Sequence, residues 1–87
     1  RESGGSARLR QSVAERPAAF ALRIQLAEAL AAEGTYREAL ETCLDVVARD
    51  RAGAGVQAKE AMVDILNTLD DGDLASEYRR KLASVLY

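Results

Sequence analysis

Two helical patterns separated by little more than a Gly-Thr step constrain this chain most. From Pro17 to Glu33, apolar residues recur at helical spacing. Leu22, Leu26 and Leu30 form one row, and Phe20, Ile24, Ala27 and Ala31 form a second beside it. Two adjacent rows make a stripe wider than a surface helix needs, so this helix requires cover from two sides. Arg23, Gln25 and Glu28 leave only a narrow polar strip. Gly34 then ends the helix, because glycine enters the left-handed conformation of a C-terminal cap without steric cost. Thr35, Tyr36, Arg37 and Glu38 fit the capping box T-x-x-E, in which the hydroxyl accepts from the Glu38 N–H and the carboxylate reaches back to the Thr35 N–H. The helix that follows carries Ala39, Leu40, Cys43, Leu44, Val46 and Val47 on its inner side, as far as Arg49. So short a connection forces the two helices to lie antiparallel, side by side.

Similar units flank this hairpin. Ser6 is a candidate cap for a helix to Arg16, with Leu9 and Val13 on one face, and Pro17 suits the first turn of the next helix. After the turn Asp50 to Gly55, a helix over 56–69 places Val56, Met62, Val63, Ile65, Leu66 and Leu69 inward. Its Gln57, Lys59, Glu60, Asp64 and Asn67 face outward. Asp73 is the expected cap of a last helix, to Leu86, whose stripe is Leu74, Tyr78, Leu82, Val85 and Leu86. Glu77 lies early in it and Arg79, Arg80 and Lys81 later, which complements the helix dipole. Alanine is abundant, there is one proline, and β-branched residues are scattered. The expected fold is all-α: about five helices in antiparallel hairpins stacked as an α-solenoid. Residues 1–5, with their Gly pair, read as a flexible leader, and 6–87 as one helical domain.

Composition removes several classes of function. Lys and Arg number 12 against 14 Asp and Glu, a net charge of −2, and aromatics make up 5%. That is the wrong balance for binding nucleic acid. The chain has no His and one Cys, so a His-based catalytic pair, a His metal site and an internal disulfide are excluded. No apolar run is long enough to span a membrane, and the lone Cys fits a reducing compartment, the cytoplasm. A core this small leans on a neighbouring domain or a copy of itself, so homo-oligomerisation is among the expectations. Because the chain begins at Arg1, it is expected to be a piece of a longer protein.

The stretch Phe20 to Arg51 resembles the tetratricopeptide pattern W-x2-L-G-x2-Y, then A-x3-F, then P. Leu26 takes the Leu place, Ala27 the first Gly, Leu30 the Tyr, Ala39 the Ala and Cys43 the Phe; Arg23 stands for Trp and Arg51 for Pro. Ala27 and Ala39 fall where paired helices cross closest and must be small. Pro17 lies 22 residues before Ala39, the separation from one repeat's final Pro to the next repeat's small residue. Residues 6–16 thus look like the last helix of an earlier repeat. Residues 56–86 look like a degenerate final pair with a longer first helix. Segments Leu26 to Leu30, Tyr36 to Leu40 and Val47 to Arg51, with the tail Glu77 to Tyr87 matching E-Y-R-R-x-L-A-S-x-L-[FY], further resemble the C-terminal part of thioredoxin-domain co-chaperones, the YbbN or CnoX-type chaperedoxins. Where that family often has Trp and Asp after D-R, this chain has Ala52-Gly53-Ala54-Gly55. The resemblance implies a bacterial cytoplasmic holdase that passes clients to the chaperonin and the Hsp70 system, with its last helix a docking element. The alternative is a tetratricopeptide scaffold of another assembly with no chaperone role.

The first helix of each pair lines the inner side of such an array. In the helix from Pro17 this presents Ala21, Ile24, Glu28 and Ala31 or Ala32, an apolar surface with one acid. The Lys, Arg and Asn needed to clamp a peptide carboxylate are missing there, so a hydrophobic client segment or neighbouring domain is the expected occupant. Packing of Ile24 on an adjacent helix is the competing account. Arg79, Arg80, Val85 and Tyr87 are the candidate contacts on the last helix, against a solvated helix end and core closure. Cys43 is weighed as a reactive thiol and read as a core residue, with no Cys-x-x-Cys to support redox chemistry. The acids Asp70, Asp71 and Asp73 are read as a capping turn, since no Glu follows at calcium-loop distance. No catalytic residue, metal or cofactor is expected, and the chain is read as a non-enzyme.

Overall fold

A computed structural model describes residues 5–87. Five helices run in order: α1 (Gly5–Glu15), α2 (Phe20–Ala32), α3 (Tyr36–Arg49), α4 (Ala54–Thr68) and α5 (Gly72–Leu86), with no strand among the described residues. The expected leader lies almost wholly outside the described residues, although α1 takes in Gly5. Each helix packs on the next, and α2 also meets α4 while α3 meets α5. The result is a stack of hairpins measuring 35 × 29 × 15 Å.

The α2–α3 turn follows from Gly34. Its φ of +85° lets the Thr35 N–H reach the Leu30 carbonyl at 2.9 Å and the Gly34 N–H the Ala31 carbonyl at 3.0 Å, closing two otherwise orphaned acceptors. The core runs from this hairpin into α4 and α5. Ala27 and Ala39 are fully buried, as the close crossing requires, and Leu30, Leu40, Cys43, Val46, Val47, Met62 and Tyr78 join them. Leu9, Val13 and Phe20 seal its α1 edge. Burying side chains of this size supplies about 1.5–3 kcal/mol each before the entropy of ordering is counted.

Several local expectations yield to tertiary contacts. The capping box does not form: Thr35 makes no side-chain cap bond, and both Glu38 oxygens accept from the guanidinium of Arg10 on α1. A charged partner across the hairpin outcompetes a neighbouring amide. Ser6 is inside α1 instead of capping it, and its hydroxyl donates to the Glu33 carboxylate at 2.7 Å. Pro17 sits in the turn before α2, which begins three residues later at Phe20. The cap of α5 is Asp71, whose Oδ1 accepts from the Leu74 N–H at 3.1 Å; Asp73 falls inside the first turn. Val56 and Val63, expected inward, are 52% and 38% exposed, because the α4 row that turns in is Gly55, Ala58, Met62, Ile65 and Leu66. As expected, α4 is longer than α2.

Asp-Arg at 50–51 has a physical role that pattern matching did not supply. The Asp50 Oδ2 accepts from the Ala54 N–H at 2.9 Å, and its carbonyl accepts from Gly53 and Gly55 at 3.1 and 2.7 Å. Asp50 therefore anchors the start of α4. Arg51 donates to the Leu86 carbonyl at 3.3 Å, satisfying an acceptor at the end of α5. Replacing Asp50 by alanine removes the cap, and urea denaturation is expected to show a loss of about 1–2 kcal/mol. An unchanged midpoint would mean that water substitutes fully for the carboxylate.

Candidate interaction groove

The inner sides of α2 and α4 do not close on each other along their whole length. Between them lie two adjoining hollows of about 350 and 250 Å³, which share Glu28, Ala61 and Asp64. The first is completed by Ala21, Ile24, Gln25, Gln57 and Glu60. The second is completed by Ala31, Ala32, Tyr36, Ile65 and Thr68. The groove exists because α2 presents alanines on this side, and small side chains keep its walls back from its floor.

The candidate residues of α2 fall here together. Ala21 and Glu28 are exposed, whereas Ile24 is only 7% exposed and belongs to the core, offering the groove little more than its edge. The α4 wall was missed at the sequence level. Gln57, Glu60 and Asp64 are spaced so as to share one helix face, and that spacing was the available signal.

The candidates on α5 lie elsewhere. Buried Tyr78, half-buried Glu77 and exposed Lys81 fasten α5 to α3. The Tyr78 hydroxyl donates to the Glu41 carboxylate, Arg37 donates to Glu77 at 3.0 Å and to the Tyr78 hydroxyl at 3.3 Å, and the Lys81 ammonium sits 4.7 Å from the Tyr78 ring centre. Arg79 and Arg80 stay exposed, and Arg79 reaches Asn67 on α4 at 3.4 Å. A hollow of about 200 Å³ between α4 and α5 is lined by Lys59, Val63, Arg79, Leu86 and Tyr87, among others. Val85 is half-buried against the core, and Tyr87 is fully exposed. The predicted residues thus divide between a groove and a seam.

Several charges on the outer faces are paired across helices. Hydrogen bonds from Ser6, Arg10 and Arg37 hold the carboxyls of Glu33, Glu38 and Glu77 below their ordinary range. Their contribution to stability is therefore present above the usual carboxylate range and is lost as pH falls through it. Burial, with the Glu41 carboxylate adding to it, pushes the Tyr78 phenol up. Arg23, at the consensus Trp place, pairs with Asp45 and lies 5.8 Å from the Phe20 ring centre, so a cation fills a position that the pattern gives to an indole.

Cys43 is fully buried, and burial, with Glu28 adding to it, pushes its thiol up to about 12. Near neutral pH the thiolate fraction falls about a thousandfold below that of a free cysteine, which is the wrong direction for a nucleophile. Alkylation by iodoacetamide at pH 7.5 is expected to run at least about a hundredfold slower than in denaturant, through local opening. Equal rates would show an accessible thiol. Among the described residues no group of three or more potential ligands is placed to hold a metal, and no helix is long and apolar enough to cross a membrane.

With hairpins, close alanine crossings and an inner groove in place, a family model described as tetratricopeptide repeat matches residues 1–87. The chain belongs to the tetratricopeptide repeat family. Tetratricopeptide repeats bind protein partners in general and are typically non-catalytic, so this chain is a protein–protein interaction module. No curated protein matches it. In tetratricopeptide terms α2 and α3 form one helical pair and α4 and α5 the next, with α1 packed on α2.

Proposed function

We propose that this tetratricopeptide chain is the interaction half of a thioredoxin-like co-chaperone of the bacterial cytoplasm. It holds client proteins and docks to chaperone machinery, the chaperonin and the Hsp70 system. The observation that carries this reading is the division of labour in the tail Glu77 to Tyr87. Glu77 and Tyr78, with Lys81 beside them, fasten the helix to α3, while Arg79, Arg80 and Tyr87 remain exposed. A helix held rigidly with cations and an aromatic facing outward suits docking, because little side-chain and backbone order is lost on contact. Client surface would be buried in the groove between α2 and α4.

The test is binding of the purified chain to purified chaperonin by surface plasmon resonance. The triple variant Arg79→Glu, Arg80→Glu, Tyr87→Ala is expected to weaken capture at least about tenfold while leaving the circular dichroism spectrum unchanged. If wild type does not bind, or the variant binds equally, the co-chaperone reading fails and the chain stands as a scaffold of another assembly.

A further inference from the structure

The α2–α4 groove has a floor and a rim of different character. Ile24, Ala31, Ala61 and Ile65 give it an apolar floor. Glu28, Glu60 and Asp64 stand along it, and no Lys or Arg lines either hollow. Several acids elsewhere find cations: Glu38 pairs with Arg10, Asp45 with Arg23 and Arg49, and Glu77 with Arg37 and Lys81. Glu15, Asp70 and Asp73 are exposed without a cation among the described residues, but none of them lines the groove. Among the described residues the side chains of Glu28, Glu60 and Asp64 have neither an ion-pair nor a hydrogen-bond partner. Three carboxylates without a cation thus stand around one concave surface whose floor is apolar.

Like charges facing one another across a concave surface focus a negative potential into it. An apolar ligand alone would push these carboxylates further from water and raise their mutual repulsion. A ligand with its own cations relieves that repulsion as it covers the floor. The alanines limit what fits, since they leave room for a backbone and small side chains against the floor and for long cationic side chains reaching the rim.

We propose that the groove between α2 and α4 docks a partner-protein segment in which Lys or Arg side chains flank small apolar ones. The proposal deepens the interaction reading of this groove and rests on it, but not on the chaperone assignment. Opposite charge across the rim sets selectivity and on-rate, and the apolar floor supplies the burial. An acidic segment of equal hydrophobicity is rejected.

Fluorescence anisotropy on the full chain tests this with three synthetic amphipathic peptides of one apolar sequence, flanked by Lys, Gln or Glu. At low ionic strength the Lys peptide is expected to bind at least about tenfold tighter than the Gln peptide, with the Glu peptide weaker still, and added salt narrows the gap. The variant Glu28→Gln, Glu60→Gln, Asp64→Asn is expected to abolish the preference. A control that removes as much charge elsewhere, Glu15→Gln, Asp70→Asn, Asp73→Asn, retains it. Ala32→Trp, which fills the second hollow without changing charge, weakens all binding.

Equal binding of the three peptides, or a preference that survives the groove triple variant, overturns the charge rule. If that equal binding is still lost in Ala32→Trp, the groove remains a docking surface. Failure of all three peptides to bind overturns the proposal and removes the groove as the docking surface. Chaperonin capture through α5 is read independently of either result.

Discussion

Tyr78→Ala is expected to lower stability by about 3–5 kcal/mol, the range for emptying a large aromatic site. Tyr78 is the largest fully buried side chain, and it joins α5 to α3 through its ring as well as its hydroxyl. Removing the ring leaves a cavity that α5 cannot close without breaking the Arg37–Glu77 and Lys81–Glu41 pairs beside it. For a domain of this size each kcal/mol lowers Tm by about 4–8 °C, so the melting transition should fall by about 20 °C or α5 should detach outright. Tyr78→Phe keeps the ring and loses only the hydroxyl, for about 1 kcal/mol. Urea denaturation of both variants separates ring from hydroxyl. A loss under about 1.5 kcal/mol for the alanine variant would show that α5 is held by other contacts.

Gly55→Ala should destabilise by about 2 kcal/mol, although propensity alone predicts a gain. Gly55 lies inside α4, where alanine is favoured over glycine by about 1 kcal/mol. A Cβ there would stand 2.5 Å from the Asp50 carbonyl oxygen and 3.2 Å from the Val47 Cα. Both are backbone atoms, and the same carbonyl accepts the Gly55 N–H at 2.7 Å, so neither side can yield without unseating the start of α4. Overpacking of this kind costs about 1–3 kcal/mol or more and exceeds the propensity gain. The sign decides the matter: a raised denaturation midpoint would show that the α3–α4 turn is not held at this separation. Gly72→Ala is the comparison, because a Cβ there meets nothing within 4 Å.

What the sequence made legible was periodic and local. The rows of α2 and α3, the close alanine crossing and the Gly34 cap lie where the spacing puts them, because each is decided within one or two helical turns. The errors came where a distant group competed. Glu38 looked like the partner of Thr35 until Arg10, 28 residues away, took its carboxylate. Hydrophobicity alone points Val56 and Val63 inward, but Gly55 fits against the turn and rotates α4 so that both are exposed, and no local pattern reports that. Half of the groove was legible for the same reason: Ala21 and Glu28 belong to the hairpin with the strongest signal. Glu60 and Asp64 gained meaning only once α4 was laid beside α2.

The thin, stacked shape sets the order in which the molecule can come apart. α3 packs on α2, α4 and α5, whereas α1 packs on α2 and reaches α3 only through the Arg10–Glu38 pair. Fraying therefore begins at the two outer helices, where fewest neighbours must be released. The pair of walls that forms the groove can outlast both departures, so recognition and the docking helix can fail separately under heat or denaturant.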